Sequence, residues 1–152
     1  MTRPGFPSFA RCEGPDVASE DVDPVPAELD PSLRPRLEIG IDCRDPVALA
    51  PFWIAALGYQ GASGDGAPYL DLVGPPGSLP VFLQRVPEPK LVKNRIHLDL
   101  FSASPEQLCR RLETLGAIPL GEPFGSGPTW EWQVMADPEG NEFCVCRDAP
   151  KP

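Results

Sequence analysis

The sequence predicts a mixed α+β domain in which one unit of strands and a helix is written twice. Three observations predict it. The stretch Arg95-Ile96-His97-Leu98-Asp99-Leu100 alternates, placing His97 and Asp99 on one face and Ile96, Leu98 and Leu100 on the other. The stretch Arg36-Leu37-Glu38-Ile39-Gly40-Ile41-Asp42 repeats it 59 residues earlier, with Glu38 under His97. The same offset lays Asp45-Pro46 on Ser104-Pro105, two helix starts.

In chain order, residues 1 to 34 are rich in Pro, Asp, Glu, Gly and Ser. Such a segment cannot bury enough apolar surface to offset its ordering entropy, so an extended or disordered arm is expected. Residues 36 to 42 form a first strand. Asp45 then caps a helix that is apolar nearly all round, centred on Phe52 and Trp53 and stopped by Gly58. Pro51 should bend this helix or delay its regular start. Residues 61 to 68 read as a glycine-rich loop, 69 to 73 and 80 to 86 as strands, and 87 to 94 as a polar connector.

The second copy opens on the His97 strand. Ser104 and Gln107 stand at the two positions of a capping box. Leu108, Leu112 and Leu115 form one buried stripe, with Arg110, Arg111 and Glu113 toward solvent. Gly116 ends the helix as Gly58 does. A short strand at 118 to 120, a second glycine-rich loop at 121 to 129, and strands at 130 to 136 and 142 to 147 follow. Asp137-Pro138-Glu139-Gly140 turns the chain between the last two. Each copy thus reads strand, helix, then three strands.

The 152 residues suffice for one domain with a real interior. Thirteen basic against 22 acidic residues leave a net charge of −9, which argues against nucleic acid or an anionic membrane surface as partner. The first residues, Met1 to Pro7, lack the apolar core of a signal peptide, so a cytoplasmic location is expected. Five cysteines without regular spacing do not make a disulfide framework. Cys144 and Cys146 point the same way from one strand. Buried reduced thiols, and a thiolate ligand or nucleophile, are the open readings of them.

Three motifs carry a resemblance: Phe52-Trp53 with Leu57-Gly58-Tyr59, Lys93-Asn94-Arg95-Ile96-His97-Leu98-Asp99, and Asp137-Pro138-Glu139-Gly140-Asn141-Glu142-Phe143-Cys144-Val145. In them the sequence resembles the vicinal oxygen chelate superfamily, the glyoxalase and bleomycin-resistance group, and within it the glyoxalase-like domain proteins. The resemblance spans roughly residues 35 to 148, with modules at about 36 to 86 and 95 to 147. It implies two paired βαβββ modules forming a curved, cup-shaped sheet with helices outside. It also implies a small-molecule ligand and, where a metal is held, a divalent Mn, Fe, Ni, Co or Zn. A homodimer is compatible with it.

The resemblance places Glu38 and His97 on the first-strand ligand positions. The usual closing carboxylate is replaced by Cys144, and Glu142, two residues earlier on the same face, stands as the third ligand. In the first module Gln84 is the only polar candidate. Glu38, His97 and Glu142 are also the general-base candidates. The bland alternative makes His97 a cup residue hydrogen-bonded to Asp99 or Glu38. Trp130 and Trp132 share a strand face, as core or as an apolar pocket wall. The implied activity is that of a lyase or isomerase for an oxygen-rich carbonyl compound. The alternative is a non-catalytic module that sequesters an apolar ligand, as in bleomycin resistance.

Overall fold

The computed structural model describes residues 35–125 and 131–148, and the compact unit begins at Leu37. The arm expected over residues 1–34 and Trp130 lie outside the described residues. The first module consists of β1 (Ile39–Cys43), α1 (Pro46–Leu57), β2 (Gly61–Ser63), β3 (Tyr69–Val73) and β4 (Val81–Arg85). The second consists of β5 (Asp99–Ser102), α2 (Pro105–Glu113), β6 (Ile118–Pro119), β7 (Trp132–Ala136) and β8 (Glu142–Arg147). Two four-stranded sheets result, ordered β1-β4-β3-β2 and β5-β8-β7-β6. This is the twice-written βαβββ unit.

In each sheet the first strand pairs in parallel with the last, and the other pairs are antiparallel. The repeat extends to register. Ile41 lies opposite Leu83 in the first module, and Leu100 lies opposite Val145 in the second. Alternation then sorts every strand into two faces. Ile41, Cys43, Leu70, Leu72, Val81 and Leu83 are buried toward α1, while Asp42, Tyr69, Asp71 and Val73 are exposed on the reverse. In the second sheet Phe143, Val145, Gln133 and Met135 are buried on the helix side. One face of each sheet is thus covered and the other is open.

Helix α1 explains why its sequence is apolar all round. Leu49, Ala50, Phe52 and Trp53 are buried, and the helix touches both modules. The rings of Phe52 and Trp53 meet the ring of Phe143 on β8 edge-on at 5.8 and 5.4 Å. Burying such side chains stabilises by roughly 1.5–3 kcal/mol each. Asp45 caps the helix, accepting from the Val47 and Ala48 amides at 3.2 Å, and Gly58 closes it in the left-handed region at φ 66°. The helix runs from Pro46 through Pro51, so its regular part starts directly after Asp45 rather than late. Pro51 and Val47 are both exposed, so the carbonyl that loses its partner has access to water.

The turn at residues 137–141 is more than a change of direction. Asp137 is 1% exposed and accepts from Trp53 Nε1 at 3.0 Å, from the Glu139 and Asn141 amides at 2.9 Å, and from Asn141 Nδ2 at 3.0 Å. Burial pushes its pKa up against these donors. The Glu139 carboxylate accepts from the Arg44 and Asp45 amides, and Asn141 Nδ2 donates to the Asp42 carbonyl. The turn therefore clamps the second module onto the start of α1.

Other expectations change in detail. Residues 61–68 open with β2 rather than forming a plain loop, because Gly61, Ala62 and Ser63 pair with β3. Ser104 makes no side-chain cap on α2; its own amide donates to Ser102 Oγ at 3.1 Å, so the capping box does not form. The stripe holds on α2 for Leu112, fully buried, and Leu108, partly buried, and continues to the partly buried Leu115 two residues past the helix end, with Arg110, Arg111 and Glu113 exposed. Glu38 and His97 lie just before β1 and β5 rather than inside them. The approach past His97 is still tied down, since the Cys144 amide donates to the Leu98 carbonyl at 2.8 Å. No helix among the described residues is long and apolar enough to cross a membrane.

Candidate functional site

The open face of the second sheet gathers the chemistry. Parallel pairing sets Asp99 opposite Cys144 and Phe101 opposite Cys146, and antiparallel pairing brings Val134 and Trp132 alongside these cysteines. Because alternate residues share a face, His97 joins Asp99 from two positions upstream. Donor atoms of His97, Asp99 and Cys144 all lie within 4.8 Å of one another. His97 and Asp99 are exposed and Cys144 is buried.

Burial first, and then the Asp99 carboxylate to which the thiol is hydrogen-bonded, push the Cys144 pKa up to about 12. The resting group is a neutral thiol rather than a nucleophile. Lys93 Nζ lies 2.9 Å from His97 Nε2. A lysine ammonium has only donors, so Nε2 is the acceptor here. Lys93 also lowers the Cys144 pKa through its charge.

Beside this polar group stands an aromatic wall. Phe124 stacks on Trp132 with centroids 4.1 Å apart and planes at 11°. Phe124 is 51% exposed and Phe101 64%. The wall and the donor group are one ladder step apart, about 7 Å along the strand. A ligand could rest an apolar ring on one and a polar head on the other.

Glu142 behaves differently from the other candidates. Its carboxylate pairs with Lys90 Nζ at 2.8 Å and accepts from the Asn94 amide at 2.9 Å. Asn94 Nδ2 donates to the Glu142 carbonyl at 3.2 Å. Burial pushes its pKa up, but these partners outweigh it and hold the carboxyl below the usual range. Glu142 thus latches the connector that carries Lys93 over His97. Glu38 is exposed at the foot of β1 and lies outside the three-donor group.

The open face of the first sheet has a different character. Gly40 pairs with Phe82, and Asp42 with Gln84. A Cβ on Gly40 would meet Phe82 Cζ at 2.7 Å, so the ring lies across the glycine. Phe82 also packs edge-on against Tyr69 at 5.7 Å. Gln84 is half-buried next to Tyr69 and Asp42 rather than beside His97. By register the counterpart of Cys144 is Phe82, two residues before Gln84. A cavity of about 370 Å³ at the connector is lined by Asp42, Cys43, Lys90, Leu91 and Glu139 among others.

Of the residues singled out in the sequence, the fold brings His97, Asp99 and Cys144 together, with Trp132 one step away. It sets Glu142 on the connector and Gln84 on the other sheet, and Trp130 is outside the described residues. Lys93, Phe101 and Phe124 were missed as site residues. Lys93 stands inside the Lys93-to-Asp99 motif, which was signal enough to consider it. Phe124 carries no such signal, because a glycine-rich loop gives no period.

A model of the glyoxalase-like domain matches residues 38–146. This chain belongs to that family. The search of curated proteins finds no match. Among solved structures, a glyoxalase/bleomycin resistance protein/dioxygenase family enzyme from Burkholderia phytofirmans is 19% identical. That match covers 74% of this chain and 97% of that one, with a TM-score of 0.57. The fosfomycin resistance protein FosX of Listeria monocytogenes, solved with Mn(II) and sulfate, is 10% identical over 83% and 94%, with a TM-score of 0.58. TioX from Micromonospora is 15% identical over 76% and 100%, with a TM-score of 0.54. At these identities the likeness is one of fold.

Proposed function

We propose that this glyoxalase-like protein binds a small oxygen-rich carbonyl compound on the open face of its second module and acts on it as a metal-dependent lyase or isomerase. The observation that supports the reading is the convergence of His97, Asp99 and Cys144 beside the Phe124–Trp132 stack. An imidazole, a carboxylate and a thiol are donors that suit a divalent cation. Bound there, such a cation would polarise the paired oxygens of a substrate. The manganese seen with FosX makes a metal a natural expectation for a relative of this fold.

The chain's own groups divide the work. Phe101, Phe124 and Trp132 hold the apolar part of the ligand and keep water from it. Glu142 holds the connector rather than a proton, since Lys90 and Asn94 already occupy its carboxylate. The resemblance places Glu38 at the first-strand position of the first module, and this carboxylate is assigned the role of proton acceptor next to the carbonyl.

The test is proton exchange. Metal-loaded protein is incubated in deuterium oxide with a panel of α-hydroxy and α-dicarbonyl compounds and followed by NMR. Exchange at the carbon next to the carbonyl is expected, lost in His97→Ala with the metal and lost in Glu38→Gln without loss of metal. Tight stoichiometric binding with neither exchange nor conversion would instead support sequestration. The half-exposed aromatic wall is the feature that favours that second reading.

A further inference from the structure

We propose that the metal centre is built by the second module alone, from His97, Asp99 and Cys144, and that its sulfur donor selects a zinc-class cation, Zn²⁺ or Co²⁺, over Mn²⁺. This rests on the metal-centre reading above and specifies which residues and which cation it uses.

The first support is the β5–β8 ladder. Asp99 and Cys144 are register partners on the open face, and His97 is the next residue of β5's approach on that face. Their donor atoms already lie within 4.8 Å of one another. A cation bonded at about 2.0–2.3 Å to each needs donors about 3.5–4 Å apart, a side-chain adjustment away. Three protein donors leave one position open toward the ligand face.

The second support is what the remaining carboxylates do. A site shared between the modules would need Glu38 and Glu142. Glu142 is engaged by Lys90 and Asn94, and Glu38 is not in the donor group. The third is the first module's own version of the place. Its register counterparts are Glu38, Gly40 and Phe82, of which two offer no side-chain donor, and the Phe82 ring covers Gly40.

Selectivity then follows from the sulfur. Thiolate and imidazole suit zinc and cobalt, whereas manganese favours oxygen donors. The thiol proton leaves to solvent as the sulfur–metal bond forms. Lys93 already places a positive group on His97, so an incoming cation displaces it. Lys93→Met should tighten binding.

The experiment uses the full chain, stripped of metal and titrated separately with Co²⁺, Zn²⁺ and Mn²⁺ under reducing conditions. We expect one Co²⁺ per chain with a thiolate-to-cobalt charge-transfer band, displacement of cobalt by Zn²⁺, and Mn²⁺ binding weaker by roughly 100-fold or more. Cys144→Ser and Asp99→Asn should keep the native circular dichroism. Cys144→Ser should remove the band, and Asp99→Asn should weaken cobalt while leaving the band in place. Mn²⁺ bound as tightly as Zn²⁺, or cobalt bound without a sulfur band, overturns the thiolate site while leaving a metal centre standing. No uptake of any of the three metals overturns both.

Discussion

At the parallel ladder of the first module the open face carries Glu38, Gly40 and Phe82; at the matching positions the second carries His97, Asp99 and Cys144. The covered faces differ far less. Ile41 and Leu83 on one side and Leu100 and Val145 on the other are the same kind of residue at the same places. The helix side must fill a shared core, so its composition is constrained in both copies. The open side has no such duty. In one copy it is closed by an aromatic ring, and in the other it holds donors. The comparison teaches that a repeated fold supplies two equivalent scaffolds, and that only one of them here gathers three donor side chains on its open face.

The largest expected effect separates the two faces outright. His97→Ala should abolish stoichiometric metal, whereas Glu38→Gln should leave it bound, as read by metal analysis of the purified variants. Equal loss in both would mean that the modules share one site. Next in size is the core. Leu112→Ala empties a fully buried position on α2 and should cost about 2–5 kcal/mol in a denaturant titration. Because α1 locks both modules together, a single cooperative transition is expected. Two separated transitions would break the picture of one core.

A smaller effect tests the closed face directly. Gly40→Ala sets a methyl group 2.7 Å from the Phe82 ring and should cost about 1 kcal/mol, the low end for overpacking. Phe82→Leu in the same chain should recover most of that loss. Simple additivity of the two changes would show that the ring does not occupy the glycine's place.

The smallest effect is a pH dependence. Burial pushes Cys43 and Cys144 up to about 12 and Cys109 up to about 11, from an ordinary 9.0. The folded state therefore keeps thiol protons that the unfolded chain gives up. Their contribution is complete below pH 9 and is lost as pH rises toward 11–12. Stability measured from pH 8 to 11 should fall, and Cys144→Ser should flatten part of that fall. A profile unchanged by the substitution would mean that this thiol ionises alike in both states.

Much of the fold was legible because its signals are local or periodic. The 59-residue offset, the Asp45-Pro46 and Ser104-Pro105 starts and the Leu108–Leu112–Leu115 stripe each follow from chain geometry alone. The failures were tertiary overrides. Pro51 is carried within α1, whose Leu49, Phe52 and Trp53 are buried, and Ser104 makes no side-chain cap while its own amide is taken by the Ser102 hydroxyl. The site was legible in part. His97, Asp99 and Cys144 were each in view, and the resemblance gave Glu142 as the third ligand. Glu142 pairs with Lys90, 52 residues away, and no local pattern shows that pairing. Asp137 passed as a turn residue, since its partner Trp53 lies 84 residues earlier.

The central claim is that the second module holds the metal by itself. Anomalous diffraction from zinc-loaded crystals of the full chain, collected on both sides of the zinc edge, tests it most directly. One strong peak bonded to His97, Asp99 and Cys144 is expected, with Lys93 displaced and Glu142 still on Lys90. A peak held by Glu38 or Glu142 would contradict it.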